Sequence, residues 1–242
     1  MVRFMRFGRI FKFYEVVQPY LQYSLHVENK LPGERLLVIA PHPDDETIGA
    51  GGTVLLHTRS GKRADVVFCT TGEAVRKQEA REAARLLGVS DTVFLNYPVD
   101  SLAQQQDFPD RLISLFSEKK PDIVCLPFYI DNHQDHRAVN EALLRVAEKK
   151  KFDFLVYAYP VWSPLYPTVL IDTGSAWETK KTAISCYRSQ LATRDYITMS
   201  YSLGQYWAKV KGRDLEVVET FFRASFSEYI SLGRKLYGQP QP

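Results

Sequence analysis

Two short stretches of this 242-residue sequence concentrate groups that hydrophobic packing has no use for. The first is Pro41-His42-Pro43-Asp44-Asp45-Glu46, an imidazole and three carboxylates placed directly after the apolar run Arg35–Ala40. Like charges crowded at the end of a buried strand repel one another and lose hydration unless a positive charge sits among them. A divalent cation is the simplest such partner. Asp44 and Asp45 are adjacent, so in an extended loop their side chains diverge, and one can bind metal while the other faces a substrate. The second stretch is Asp131-Asn132-His133-Gln134-Asp135-His136, after the apolar segment Asp122–Leu126. The chain has five histidines, and three of them fall in these two stretches. Histidine and aspartate are ordinary zinc ligands, and two His with one Asp leave open positions, as catalytic centres require. The same set suits non-haem iron, so the residue types leave the metal's identity open. Alone, His-Gln-Asp-His also reads as a polar helix start with Asp135 near the N-terminus. Two such loops at equivalent strand ends favour one shared centre.

The elements that must position these loops follow from hydrophobic periodicity. Arg35–Ala40, Ala64–Thr70, Val93–Leu95, Asp122–Leu126 and Phe154–Tyr159 read as buried strands, with Glu216–Phe222 as a further one. Thr47–Arg59, Arg76–Leu87, Phe108–Lys119, His136–Lys149, Lys180–Tyr187 and Ser227–Tyr237 read as helices, and Gly88 fits a C-cap. Strands alternating with helices predict an α/β, Rossmann-like fold: a mostly parallel sheet with helices on both faces. Ligands of such sheets bind beyond the carboxyl ends of the strands, and the polar loops after Ala40, Thr70 and Leu126 all belong there. Gly49, Gly51 and Gly52 early in the helix after the first loop allow close approach, either of helix to sheet or of helix to ligand.

The remaining features bound the answer. Hydrophobic residues make up 45% and charged residues 24%, ordinary globular values. A net charge of +3 gives no support to nucleic-acid binding. Cys69, Cys125 and Cys186 lie far apart in no ligand spacing and read as small buried hydrophobes in a reducing cytoplasm. Residues 1–32 read as a helical extension ended by Leu31-Pro32-Gly33, and residues 33–238 as the domain proper. On a helix, Phe4, Phe7, Phe11 and Tyr14 share a face, with Arg9 and Lys12 turned away. That face has two destinations: an anionic membrane surface, which would make a cytoplasmic protein membrane-associated, or packing on its own domain or a second subunit of a homo-oligomer.

Pro-His-Pro-Asp-Asp-Glu after a strand, with a later His-x-Asp-His, resembles the PIG-L/LmbE-like N-deacetylase family. Gly72-Glu73 with Arg76-x-x-Glu79 and Leu87-Gly88-Val89, Lys180–Gln190 ending Tyr187-Arg188-Ser189-Gln190, and Val218-Glu219-Thr220-Phe221 are similar to further family blocks. The resemblance spans residues 34–225. It implies zinc, with Fe2+, Co2+ or Mn2+ as alternatives, held by His42, Asp45 and His136. It also implies Asp44 as general base and His133 as the group stabilising the oxyanion. Metal-activated water, a carboxylate to take its proton and a protonated His133 facing the tetrahedral oxyanion form a coherent amide hydrolysis. Asp135 then orients or charges a neighbouring histidine.

Around this centre, Arg76 is a candidate hydroxyl or phosphate contact, or else a surface partner of Glu73 or Glu79. Tyr187 and Arg188 are candidates for the pocket wall. Trp162, with Tyr159 and Tyr166, forms an aromatic, proline-rich stretch suited to stacking on a sugar or to plugging the core. His57 reads as structural. The resulting expectation is a metal-dependent deacetylase acting on an N-acetylglucosamine-type sugar or glycoconjugate. A zinc-dependent amidase or esterase without sugar preference, and an inactive sugar-binding protein, are the rivals.

Overall fold

The computed structural model describes residues 12–17, 25–211 and 214–238. Eight strands form one sheet: β1 (His26–Glu28), β2 (Arg35–Ala40), β3 (Arg63–Thr70), β4 (Asp91–Tyr97), β5 (Ile123–Pro127), β6 (Leu155–Tyr159), β7 (Val169–Asp172) and β8 (Val218–Ser225). Their order is β1-β7-β8-β6-β5-β2-β3-β4. Only β8 runs against its neighbours; the other described pairings are parallel. Parallel strands covered on both faces must be apolar throughout, which is why Leu36–Ala40 and Ile123–Pro127 are buried without alternation.

Helices α1 (Asp45–Arg59), α2 (Ala74–Leu86), α5 (Trp177–Ser185) and α7 (Tyr196–Lys211) lie on one face, and the short α6 (Arg188–Leu191) follows α5. Helices α3 (Phe108–Lys119), α4 (Gln134–Lys149) and α8 (Phe226–Tyr237) cover the other. Each face has its own core, built on Val54, Phe68, Ala83 and Ile184 on one side and on Leu112, Phe116, Leu143 and Tyr229 on the other. From β2 the chain winds outward through β3 and β4, then returns to place β5 against the opposite edge of β2. The reversal opens a crevice between the β2 and β5 carboxyl ends, and both polar loops leave from it.

Two sequence expectations need correction. Residues 26–28 form edge strand β1, paired with β7 from His26↔Val169 to Glu28↔Ile171, so the sheet recruits chain that read as helical extension. Residues 12–17 are helical, but their docked side chains are Phe13, Val16 and Val17, with Phe13 6.3 Å from the Phe128 ring. Tyr14 is exposed, so it is not on the packed side; Phe4, Phe7 and Phe11 lie outside the described residues. Farther on, the expected helix Lys180–Tyr187 ends at Ser185, and β7 and α7 were not anticipated.

Helix α1 carries the first loop into the fold, and a buried ion pair braces it. Glu219 of β8 accepts hydrogen bonds from the backbone N–H groups of Gly52 (2.7 Å) and Thr53 (2.8 Å). Lys180 of α5 pairs with Glu219 at 2.6 Å and donates to the Ile48 carbonyl, one helical turn before Gly52, at 2.8 Å. A Cβ at Gly52 would sit 2.9 Å from Thr173, and one at Gly49 would enter the Tyr159 ring. Packing therefore accounts for these two glycines. Because removing one partner strands the other charge in the core, Lys180→Met should lower unfolding free energy by about 3–5 kcal/mol, read from urea denaturation; a loss below 1 kcal/mol would contradict the brace.

Candidate metal centre and active-site pocket

The two loops meet above β2 and β5. His42 Nδ1, Asp45 Oδ2 and His136 Nε2 form a triangle with sides of 3.1, 3.1 and 3.3 Å. Ligand atoms bound at about 2.0–2.1 Å in a tetrahedral zinc site stand roughly 3.3 Å apart, so this donor set fits such an ion. His42, His133 and His136 also bring ring nitrogens within 4.8 Å of one another, as do Asp100, His133 and Asp135 with their donor atoms. Asp135, however, already accepts from the N–H groups of Asp100 (2.8 Å) and Leu102 (3.0 Å).

Each imidazole of the triangle has a carboxylate behind it. His42 Nε2 lies 3.1 Å from Asp135 Oδ2, and His136 Nδ1 lies 3.3 Å from Asp131 Oδ1, an ion-pair approach without good hydrogen-bond alignment. Such backing fixes the ring orientation of a ligand. Asp135 thus serves His42, ninety-three positions away in the chain, rather than a histidine of its own loop. Asp131 also accepts from the N–H groups of His133 and Trp162, tying the second loop to the chain after β6. It stood in the sequence motif with no role attached; its signal is a carboxylate five residues before His136.

Burial opposes protonation of His42 and His136, but their carboxylate partners outweigh it and push them up to about 9 and about 10. Burial likewise opposes ionisation of Asp45, yet His136 and His42 hold it well below the usual carboxylate range. Asp44 goes the other way. Burial first, then the charge on Asp45, push it well above that range, with Arg76 and His42 opposing.

Asp44 has φ +128°, outside the helix that begins one residue later. A non-glycine residue there stores strain of order 1–3 kcal/mol. Its N–H donates to Glu46 Oε2 at 3.1 Å, and its carbonyl accepts from Thr47 (3.1 Å) and Ile48 (2.9 Å). Arg76 Nη2 lies 3.4 Å from the Asp44 carboxylate and donates to the Pro43 carbonyl at 2.7 Å. Arg76 is therefore paired with neither Glu73 nor Glu79. Glu79 instead accepts from both the N–H (2.8 Å) and the hydroxyl (2.6 Å) of Ser189.

His133 caps α4, its Nδ1 accepting from the Asp135 N–H at 3.1 Å. With Nδ1 an acceptor, the ring proton resides on Nε2, which faces Asp100 Oδ1 at 3.6 Å. Burial, then the charges on His42 and His136, hold His133 below its ordinary value.

A pocket of about 120 Å³ opens over these groups, lined by His42, Asp44, Asp45, Arg76, Val99, His133, Trp162, Gln190 and Tyr196. Of the expected rim residues, Arg76 and Trp162 are present. Tyr187 is not: it is buried, and its hydroxyl donates to Glu46. Arg188 is exposed and pairs with Glu82 at 3.4 Å. The chain breaks from helix at Cys186 and Tyr187, and that break sends the two side chains opposite ways. Tyr159 is fully buried against Gly49, and Tyr166 packs on Trp207, so neither reaches the pocket. Tyr196, packed edge-on to Trp162 at 5.9 Å, enters from a segment with no chemical signature, and Gln190 from the end of the Tyr187–Gln190 block. His57 is structural, its Nε2 facing the Glu34 and Arg63 carbonyls, and all three cysteines are buried and free.

Fold and motif together define an N-deacetylase scaffold, and the chain belongs to the PIG-L/LmbE-like family. The model of the GlcNAc-PI de-N-acetylase family matches residues 37–147. The chain is 31% identical to the uncharacterized deacetylase YaiS of Escherichia coli over 64% of its own length and 89% of the relative's. It is 25% identical to a probable N-acetyl-alpha-D-glucosaminyl L-malate deacetylase of Bacillus cereus, covering 71% of this chain and 96% of the relative. N,N'-diacetylchitobiose deacetylase from Pyrococcus horikoshii shares the fold, with a TM-score of 0.70, 22% identity and 95% of each chain covered.

The two raised imidazoles make a signed prediction for protein held metal-free by chelator. Both bind a proton more tightly when folded than in the unfolded chain, where histidine titrates near about 6.5. Their stabilisation is complete below that pH and is lost as pH rises through about 9 and about 10. The melting temperature should fall across that interval, and a His42→Gln variant should show a shallower fall. Equal slopes would contradict the assignment.

Proposed function

We propose that this protein hydrolyses the acetamide of an N-acetylglucosamine-type sugar or glycoconjugate, with one divalent metal ion held by His42, Asp45 and His136. The observation that carries the reading is the donor triangle with the strained Asp44 carboxylate beside it in one pocket. An ion in that set would supply Lewis acidity towards the acetamide carbonyl and lower the pKa of water. Asp44 takes the proton of the attacking water as the new C–O bond forms. His133 Nε2–H donates to the oxyanion of the tetrahedral intermediate. Asp44 then returns its proton to the amine nitrogen as the C–N bond breaks, and acetate and free amine leave. Arg76 keeps the buried Asp44 carboxyl ionisable, and Trp162 with Tyr196 provides an aromatic wall for the sugar.

A sugar substrate is supported by relatives named for glucosaminyl malate and by the chitobiose deacetylase of the same fold. The donor chemistry alone would serve any acetamide. Metal-loaded protein incubated with GlcNAc, chitobiose, UDP-GlcNAc and a GlcNAc-lipid should release acetate and amine from at least one, and chelator should stop it. Asp44→Asn should reduce that turnover by about 10²–10⁴-fold while metal, measured by elemental analysis, stays bound. Undiminished turnover would remove Asp44 from the mechanism.

A second prediction concerns pH. The base must be ionised, and Arg76 is the first-ranked group opposing the upward push on Asp44. Arg76→Gln should therefore move the acid limb of the kcat profile to higher pH. An unmoved limb would mean that the titrating group is not Asp44.

A further inference from the structure

Glu46 is the third carboxylate of the first loop, and neither the donor triangle nor the pocket uses it. It is fully buried, and three donors converge on it. Thr47 donates its hydroxyl to Oε1 at 2.5 Å, the Tyr187 hydroxyl donates to the same oxygen, and the Asp44 N–H donates to Oε2. Tyr187 is itself buried and arrives from the break between α5 and α6, 141 positions away. The residue at the far end of this chain of bonds is Asp44, whose backbone, at φ +128°, is held in a conformation that side chains rarely adopt.

We infer that Tyr187 and Glu46 are positioning residues for the base: together they clamp the Asp44 peptide at positive φ and so aim its carboxylate into the pocket. Left to itself, an Asp at the start of a helix relaxes to negative φ, which would swing the side chain off its present line. The carbonyl side of Asp44 is fixed by the first turn of α1, which any helix start would provide. On the other side, the Asp44 N–H donates to Glu46, and the carbonyl of the same peptide, that of Pro43, accepts from Arg76. A buried carboxylate keeps one orientation only while its oxygens are supplied with donors. Tyr187 and Thr47 supply them, and Oε2 is thereby left facing the Asp44 N–H. The inference rests on Asp44 being the base, and it changes what Tyr187 does: a residue at the break between α5 and α6 acts on the reaction without touching the substrate.

Tyr187→Phe removes one hydroxyl at constant shape. Its crystal structure should show residue 44 leaving φ near +128°, a readout that needs no activity. Its kcat should fall by about 10²-fold, the loss that a misplacement of order 1 Å produces; KM should stay within about twofold, and metal content should not change. On an Asp44→Asn background the same substitution should cost less than about twofold more, because nothing remains to be aimed. Thr47→Val, which removes the other hydroxyl on the same oxygen, should act in the same direction, so the test does not depend on one variant folding. Residue 44 unmoved in both variants overturns the inference, as does an equal loss of turnover with and without Asp44. If the parent protein deacetylates nothing, the functional reading fails on its own, and the backbone of residue 44 still decides whether the clamp exists.

Discussion

Asp45 sits between two imidazoles, 3.1 Å from each, and is almost wholly buried. A carboxylate in that position is tolerable only if both rings carry charge or if a cation takes their place. The surrounding structure meets that condition. Asp135 and Asp131 stand behind the rings, and the first of them also gathers the turn after β4 through the Asp100 and Leu102 N–H groups. Moving any one of these acids would leave a buried charge uncompensated.

The geometry depends on strand order more than on either loop. Because β5 lies directly against β2, residues 42 and 136 are brought within bonding distance although ninety-four positions separate them. The antiparallel β8 then delivers Glu219 under α1, and α5 delivers Lys180. The first loop is thus gripped twice, by the sheet through its leading strand and by the ion pair through its trailing helix. Asp44, at the hinge between these grips, carries the backbone strain.

The sequence made the parallel sheet legible because each central strand is an unbroken apolar run, and it marked the two loops carrying His42, Asp44, Asp45 and His136 because a core has no use for crowded acids and imidazoles, while the family resemblance supplied the part proposed for each. It did not make Tyr187 legible. A tyrosine beside an arginine near a candidate site reads as a substrate contact, and only the break in the helix, which no proline or glycine announces, turns one inward and the other to Glu82. Asp131 was hidden for another reason: among several carboxylates in one loop, composition does not say which stands behind which ring. Strand β1 escaped because three residues are too short a run for alternation to show, and its partner β7 is only four residues long. Val99, Gln190 and Tyr196 reach the pocket from segments that follow turns, where position is set by packing elsewhere.

The Lys180–Glu219 brace has a consequence for the order in which the molecule is made. Both polar loops have been synthesised once His136 has left the ribosome, yet the brace needs eighty-three more residues. During that interval the nascent α1 has no Glu219 to engage the N–H groups of Gly52 and Thr53. Docking of the late strand then brings the carboxylate to those N–H groups, and the late helix brings Lys180 to the Ile48 carbonyl. The half of the chain that carries both polar loops is therefore written early and set last.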